Sequence, residues 1–457
     1  MRPSLLALAA LFLAACGGPA PSAPTIGQVP IGVNLRNESF VLPNGLQVVL
    51  HNEPSAGHVV VHVRYHVGSK DDPAGRAGFA HLFEHLMFRG TKNAPNDYGT
   101  YLDAVGADFN ATTGLDSTDY FETVSARQLP LALWLEADRM AFPLATLDED
   151  GFAKERNVVM NEYRERYGNV PYGNVTLIAR AAVFGDWHPY ALSPIGRLDE
   201  IGKATLDEAR AFRGTYYGPN NATLVIAGNL DVVAARALVT KYFATIPPAQ
   251  RAVPRRVAAP VLAESRTIEA AADVDTPMIA YAWPAPGVHG DGYEELAIGT
   301  RALGGWLTHR LVIEKELARE VQLYLVSARL ASVVILQVKT KPGIAPAAIT
   351  SEVELFLRYA SEIGRVGRGW SEFEDQKTRA LAGEVFGLED MDERARRLLH
   401  GLEYHGEPDS VQSDLQRVDD IPLWDIGAAM ERFLKDAPRV TVVVRPDPRA
   451  PRAGAVR

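Results

Sequence analysis

The 457-residue sequence contains a single cysteine, Cys16, and has no excess of basic residues. A lone cysteine excludes any disulfide within the chain. The formal net charge of −9 argues against nucleic acid as a partner, because phosphate binding favours a basic surface. The chain also lacks the run of about 20 apolar residues that a transmembrane helix requires. What remains is an ordinary globular composition, 47% hydrophobic and 23% charged, at a length that allows two or three domains.

The first residues, MRPSLLALAALFLAACGGPAPSAP, have the pattern of a bacterial targeting segment. The apolar run ends at residue 15, which predicts a signal peptide at residues 1–15. The residues around Cys16 resemble the bacterial lipobox, which implies cleavage before Cys16 and lipidation of its sulfur. Residues 16–35 would then be a tether at the cell envelope, facing the periplasm, and Gly17 favours the outer membrane. The alternative is an ordinary signal peptide with a chance cysteine.

Alternating and helical patterns predict an α+β chain in two parts. A Pro- and Arg-containing stretch at residues 246–262 predicts a linker between a first domain, residues 36–245, and a second domain, residues 263–450, with a tail at residues 451–457. Strands and helices follow in a similar order on both sides of the linker, which favours an internal duplication. The main predicted elements are a hairpin around Asn44-Gly45, a helix carrying His81, strands divided at Gly114, helices within residues 127–167, a strand at 222–227, a strand at 276–283, helices at 294–303 and 309–317, strands within 322–340, a helix at 345–366 and a strand at 439–444.

The stretch GFAHLFEHLMFRGT places two histidines and a glutamate among apolar residues. His81, Glu84 and His85 are spaced i, i+3 and i+4, so all three project from one face of a helix. Neutral imidazoles one turn apart can bind one divalent ion. A catalytic zinc takes three protein ligands and leaves a position for water, so a third ligand is expected elsewhere. The alternative is a pair of structural histidines without a metal.

Candidates for the third ligand lie in the segment FAKERNVVMNEYRERYGN. Glu155 and Glu162 are two helical turns apart and share a face. Glu165 lies in the same segment and has the pattern of a solvated side chain. Composition and spacing alone do not choose among these glutamates.

Taken together, the motifs resemble the inverzincin zinc metallopeptidases of the pitrilysin, insulin-degrading enzyme and mitochondrial processing peptidase family. That family carries an inverted His-x-x-Glu-His motif and a glutamate ligand 77 residues after the second histidine, and counting 77 residues from His85 leads to Glu162. The segments FNATTGLDSTDYFETV, HPYALSPIG and YYGPNNATLVIAGNLD also match. The match is strong over residues 36–245 and weak in the second half, and the lipobox indicates a bacterial lipoprotein member.

The resemblance implies two homologous domains, each a mostly antiparallel sheet packed against helices, as in the mitochondrial processing peptidase. His81, His85 and Glu162 would bind one Zn²⁺ per chain, and Glu84 would be the catalytic general base. Glu155 would accept a ring N–H from a ligand histidine. The implied activity is zinc-dependent hydrolysis of peptide bonds in oligopeptides or unfolded segments, with Mn²⁺ or Fe²⁺ as the alternative metals.

The family also binds its peptide substrate as an added strand along a sheet edge. The resemblance puts that edge at four consecutive residues, Phe109, Asn110, Ala111 and Thr112. Backbone hydrogen bonds there would give affinity with little sequence selectivity. The alternative is an ordinary edge strand.

One family feature is missing from the sequence. Single-chain members have an Arg and a Tyr seven residues apart in the second half, which bind the substrate carbonyl, but Leu317 stands seven residues before Tyr324. Arg397 and Tyr404 have the spacing, yet their context is that of a scaffold helix. We therefore expect either a heterodimer with a homologous, zinc-less subunit that supplies the pair, or a homodimer with other carbonyl donors.

Two further functions are compatible with the sequence. One is a non-enzymatic envelope lipoprotein that acts as a scaffold or chaperone with a retained peptidase fold. The intact set of His81, Glu84, His85 and Glu162 argues against it, because a scaffold needs no general base beside a metal. The other is a zinc hydrolase of non-peptide amides, which the edge-strand match disfavours.

Overall fold

A computed structural model describes residues 32–250, 257–366 and 370–450. The predicted signal peptide, Cys16, most of the tether and the tail therefore lie outside the described residues. Within the described ranges, no helix combines the length and the apolar character needed to cross a membrane.

Six strands of the first half form one sheet: β1 Glu38–Val41, β2 Gln47–Asn52, β3 Val59–Tyr65, β4 Asp108–Thr113, β5 Thr118–Val124 and β6 Ala222–Gly228. Their order across the sheet is β1-β2-β6-β3-β5-β4, which leaves β4 at one edge. The pair β2/β6 is parallel, and the other neighbours are antiparallel. The predicted hairpin is confirmed, because β1 and β2 pair across a turn in which Gly45 has a positive φ of 94°.

Five strands of the second half form the other sheet: β7 Arg266–Ala272, β8 Met278–Ala285, β9 Ala318–Val326, β10 Ser332–Thr340 and β11 Val440–Pro446. Their order is β7-β11-β8-β10-β9, with β7/β11 parallel and the rest antiparallel. The first sheet without β1 has the same order and the same single parallel pair. The two mostly antiparallel sheets therefore share one topology, which confirms the predicted α+β duplication.

Helices fill the connections between these strands. In the first half they are α1 Phe79–Leu86, α2 Tyr98–Asp103, α3 Leu129–Ala141, α4 Glu149–Tyr163, α5 Val175–Phe184, α6 Leu198–Ile201, α7 Leu206–Tyr216 and α8 Val232–Phe243. In the second half they are α9 Tyr293–Thr308, α10 Pro346–Val366, α11 Trp370–Gly387, α12 Met391–Tyr404, α13 Val411–Asp419 and α14 Leu423–Met430. Single π-helical turns extend α4, α9 and α14, at Arg164–Gly168, His309–Glu314 and Glu431–Lys435.

The prediction of a separate helix at residues 309–317 was wrong. The segment His309–Glu314 is the π-helical turn that ends α9, and β9 begins at Ala318. Between them Glu316 has a positive φ of 52°, which a continuing right-handed helix does not allow. The helix that we predicted is therefore a π-helical turn and a short connection that leads into the edge strand β9.

One helix of each half packs on the sheet of the other half. Helix α5 packs on β8 and β11 of the second sheet, whereas α12 packs on β3 and β6 of the first. The α5 contact is apolar and includes Val175, Ala179 and Val183. The strands of each sheet lie within one predicted domain, but these two helices do not follow that division. The described residues from 34 to 450 accordingly form one compact unit.

Candidate metal centre

Helix α1, which carries the histidine motif, begins at a specific capping arrangement. Gly78 precedes the helix with φ 94°, and the carboxylate of Asp72 accepts hydrogen bonds from the N–H groups of Gly78 and Ala80 at 2.7 and 2.8 Å. A carboxylate at this end satisfies free backbone donors and complements the helix dipole. A Cβ on Gly78 would lie 2.5 Å from the carbonyl oxygen of Ile195, so the HPYALSPIG segment packs directly against the start of α1.

The two histidines lie on the face of α1 that points toward α4. Phe79, Leu82 and Phe83 are buried in the first core, which fixes the rotation of the helix. The rings of His81 and His85 lie 4.8 Å apart, centroid to centroid, and almost perpendicular, with an interplanar angle of 81°. Their nitrogen atoms therefore converge on one region beside the helix.

Helix α4 brings Glu162 to that region. Glu162 Oε2 lies 3.3 Å from His85 Nε2 and 3.7 Å from His81 Nε2, and the three ligand atoms all lie within 4.8 Å of one another. Two ligands bound about 2.0–2.1 Å from a tetrahedral zinc stand roughly 3.3 Å apart. The spacing of these atoms thus fits a single divalent ion.

The charge state of the site also fits a metal ligand set. Burial, and then the neighbouring His85 and Arg166, lower the pKa of His81 to about 3. His81 is therefore neutral at pH 7, which is the form that binds metal. Its Nδ1 is buried without a hydrogen-bond partner among the described residues. Glu162 keeps a positive neighbour, because Arg166 Nη2 lies 2.9 Å from its Oε1.

Glu155 lies beside His85, on the side opposite the shared ligand region. Its Oε2 is 3.9 Å from His85 Nδ1, too far for a direct hydrogen bond, and its Oε1 is 3.1 Å from Arg89 Nη2. The carboxylate faces His85 Nδ1, the ring nitrogen that stays free when Nε2 binds a metal ion. Its assignment as the acceptor for that N–H stays a prediction.

Glu84 is buried next to this ligand set and is held by one hydroxyl group. Thr113 Oγ1, at the end of β4, donates a hydrogen bond of 2.5 Å to Glu84 Oε2. Burial raises the pKa of the Glu84 carboxyl to about 7, while the Thr113 bond acts in the opposite direction. A carboxylate with a pKa near neutrality is suited to accepting and returning a proton.

The predicted substrate strand, Phe109 to Thr112, lies in β4 at the free edge of the first sheet. The N–H of Ala111 donates to the side chain of Asn110 at 2.8 Å rather than to β5. Asn110 and Thr112 are exposed. An edge of this kind offers backbone groups that an added peptide strand can pair with.

Sequence reasoning missed three residues of this centre, namely Thr113, Arg89 and Arg166. Arg166 lies four residues after Glu162, a helical spacing that could have indicated this pair, whereas Thr113 and Arg89 reach the site only through the packing of α1, α4 and β4. Glu165 is exposed. Arg397 bonds Glu393 at 2.9 Å on its own helix, and the Tyr404 ring lies against His400. Both therefore have the contacts of a scaffold helix.

Two family models match this chain. The model described as Insulinase (Peptidase family M16) matches residues 47–171, which include His81, Glu84, His85 and Glu162. The model described as Peptidase M16 inactive domain matches residues 203–416. The site lies wholly within the first match and outside the second.

Similar proteins match over nearly the whole chain. The zinc protease PqqE of Helicobacter pylori is 29% identical over 429 residues, which cover 90% of this chain and 93% of that protein. The crystal structure of a protease from Helicobacter pylori has 28% identity and a TM-score of 0.79, covering 90% of this chain and 99% of that one. The periplasmic protease PqqL from Escherichia coli, 18% identical with a TM-score of 0.73, shares the fold; the overlap covers 91% of this chain and 48% of PqqL.

Proposed function

Because this chain belongs to the insulinase (M16) family of peptidases, we propose that it is a zinc-dependent endopeptidase. The observation that carries the proposal is the convergence of His81, His85 and Glu162 within 4.8 Å, with the buried Glu84 one residue from a ligand. Two imidazoles and one carboxylate are the ligands of a hydrolytic zinc site, and an acid–base group stands beside them.

Each residue has a defined task in this proposal. His81, His85 and Glu162 bind the ion, which when bound supplies the Lewis acidity that activates water and polarises a peptide carbonyl. Glu84 takes the proton of the attacking water on a carboxylate oxygen and returns it to the leaving amine. Thr113 orients Glu84 through its hydrogen bond. Arg166 and Arg89 hold Glu162 and Glu155 in place through ion pairs.

The substrate class in this proposal is an extended peptide, in oligopeptides or unfolded segments. The edge strand β4 ends at Thr113, which is itself bonded to Glu84. A peptide that pairs with Phe109 to Thr112 would therefore have its backbone beside the general base. Pairing through backbone groups gives affinity without strong side-chain selection.

The quaternary arrangement that we propose is a dimer in which a second subunit completes the site. Arg397 and Tyr404 are engaged in other contacts, and PqqL is about twice as long as the segment that matches this chain. The leading form is a heterodimer with a homologous, zinc-less subunit that supplies an Arg and a Tyr. A homodimer with other carbonyl donors is the alternative.

We also propose that the protein is anchored in the bacterial cell envelope by a lipid on Cys16 and faces the periplasm, with Gly17 favouring the outer membrane. The support is the lipobox-like pattern around Cys16, which is the only cysteine in the sequence. Metabolic labelling with a radioactive fatty acid tests this proposal. Label should enter the wild-type protein and be absent from Cys16→Ala, which should also leave the membrane fraction.

The test of the enzymatic proposal separates metal binding from proton transfer. Glu84→Gln should keep the zinc of the His81 site and lose hydrolysis of a mixed peptide library, because the amide cannot accept a proton. His85→Ala should lose both activity and one equivalent of zinc. Glu165→Gln removes an exposed carboxylate from the same helical segment and is the matched control. Wild-type cleavage by Glu84→Gln would contradict the assignment of the base.

The alternative function, a non-enzymatic scaffold or chaperone, makes a different prediction. The match to the inactive-domain model supports it only for residues 203–416, which hold no member of the proposed site. A scaffold should bind unfolded segments without cleaving them, alone or with its partner subunit. Mass spectrometry of products after incubation with both subunits distinguishes the two functions.

A further inference from the structure

A second histidine cluster lies in the second half of the chain, apart from the proposed catalytic centre. His289 precedes α9, His400 lies on α12, and His405 follows α12 directly. One ring nitrogen from each lies within 4.8 Å of the others. His289 and His400 bring their Nε2 atoms to 2.9 Å. The chain thus places three imidazoles from two distant segments around one point.

Glu294 orients His289 for ligation. His289 Nδ1 lies 2.6 Å from Glu294 Oε1 and 2.7 Å from Arg417 Nη1, so these two side chains fix the ring and Nε2 points at the cluster. A carboxylate that accepts the second N–H is the usual partner of a metal-binding histidine. His289 also has a positive φ of 59°, which is uncommon outside glycine and costs backbone energy. The local structure therefore holds this ring in place against strain.

Asp414 offers a carboxylate beside the cluster; it contacts His405 but does not belong to the group of atoms that all lie within 4.8 Å of one another. Its Oδ2 accepts a hydrogen bond of 2.9 Å from Ser410 Oγ, which fixes the carboxylate. Its Oδ1 lies 3.0 Å from His405 Nε2, and both atoms are buried without a hydrogen bond to any other described residue. Two buried polar atoms that face each other in this way have an unfilled bonding requirement.

The surrounding charges permit a cation. Arg417 is the nearest positive group, with Nη1 2.7 Å from His289 Nδ1 and 3.5 Å from the carboxylates of Glu294 and Asp414. The pocket that holds His289 and His400 is lined by three carboxylates, of Glu294, Glu384 and Asp414, and by three guanidinium groups, of Arg301, Arg397 and Arg417, so the charges of these six side chains cancel.

We propose that His289, His400, His405 and Asp414 form a second site, which binds Zn²⁺ or another late first-row divalent ion. Three imidazoles and one carboxylate are donors that such ions favour in four-coordinate geometry. The ion takes the place of the hydrogen bond between His289 and His400, so His400 carries its proton on Nδ1 when the site is filled. The ion would fasten the end of α12, which packs on the first sheet, to the start of α9 and to α13.

The experiment counts zinc on the full chain after equilibrium dialysis and elemental analysis. Wild-type protein should bind about two equivalents, and the His81→Ala/His85→Ala variant, which lacks the catalytic ligands, should keep about one. Adding His400→Gln to that variant should remove the remaining equivalent of zinc. In the same background, Co²⁺ should give the visible absorption of a four-coordinate ion, and this signal should also depend on His400.

His309→Gln is the matched control, because His309 is exposed and lies outside both clusters. It should leave two equivalents in the wild-type background. If circular dichroism shows that His400→Gln does not fold, His405→Gln, beyond the end of α12, takes its place. The proposal is overturned if the His81→Ala/His85→Ala variant binds no zinc, or if the remaining zinc survives the loss of His400 or His405. Neither result depends on peptidase activity, so failure here leaves the proposed function intact.

Discussion

The hydrogen bond between Thr113 and Glu84 links the proposed substrate strand to the proposed general base, and Thr113→Val removes it while keeping the branched side chain. Thr113 Oγ1 stands 2.5 Å from a buried carboxylate whose pKa burial raises to about 7. The hydroxyl favours the ionised form of Glu84, so its loss should raise the pKa further. The base would then be protonated over more of the working pH range.

The size of the effect follows from the kind of bond. A hydrogen bond to a charged group contributes about 1.5–3 kcal/mol. Since 1.36 kcal/mol corresponds to one pH unit, the acid limb of kcat/KM should move upward by about one to two pH units. Below the acid limb the variant should lose about tenfold in kcat/KM for each pH unit of that shift, and activity should recover at higher pH. A bound ion lowers the pKa of Glu84 in both proteins, so the difference between them is the quantity to compare.

The assay is the pH profile of kcat/KM on a fluorogenic peptide, measured with the zinc content of each sample. Thr100→Val is the matched control, because Thr100 is exposed on α2. It should have the wild-type profile. An acid limb that stays in place or moves to lower pH in Thr113→Val would refute the view that this hydroxyl stabilises the Glu84 carboxylate.

Two further predictions concern stability and are measured by denaturant unfolding. Arg139→Met should lower the free energy of unfolding by about 3–5 kcal/mol, because it leaves Glu136, which is 0% exposed, without its positive partner. Arg127→Met, at an exposed position, should change this free energy little, and equal effects of the two substitutions would contradict the argument. Gly78→Ala should cost more than Gly75→Ala, since both carry roughly 1–2 kcal/mol of left-handed strain but only Gly78 has a carbonyl oxygen within 2.5 Å of the new Cβ. A smaller loss of unfolding free energy for Gly78→Ala than for Gly75→Ala would mean that the backbone at Ile195 moves away at little cost.

The local part of the site was predictable from spacing, and the distant part was not. His81, Glu84 and His85 lie on one turn of α1, so helical periodicity was enough to group them. Glu155 and Glu162 share a face of α4 by the same rule. Periodicity does not say which carboxylate meets the histidines, because that depends on how α4 crosses α1. The resemblance to a known family supplied Glu162 instead.

Contacts between segments far apart in sequence escaped prediction for the same reason. Thr113 reaches Glu84 because an edge strand lies against α1, and nothing in its neighbours distinguishes it from Thr112. The cluster of His289, His400 and His405 draws on segments about a hundred residues apart, which no local pattern connects. Such sites become visible only once packing has brought the segments together.

Helix α5 packs on the second sheet and α12 on the first, so the second half contacts the sheet that carries β4. The second half itself carries no copy of the histidine motif. Helix α12 meets the first sheet through buried charges: Arg64 donates to Asp119 at 2.7 Å and to Glu403 at 2.8 Å, and His62 Nε2 lies 3.1 Å from Asp119. Arg64 and His62 hold the pKa of Asp119 below its ordinary range despite its burial. Removing one partner of a buried pair is costly, so the pair of Arg64 and Glu403 ties α12 to the first sheet.

Asp119 lies on β5, directly opposite Thr112 of β4. Through Arg64, helix α12 therefore supports β5, the strand that pairs with the predicted substrate strand β4. In this way the second half supports the position of the edge strand relative to Glu84.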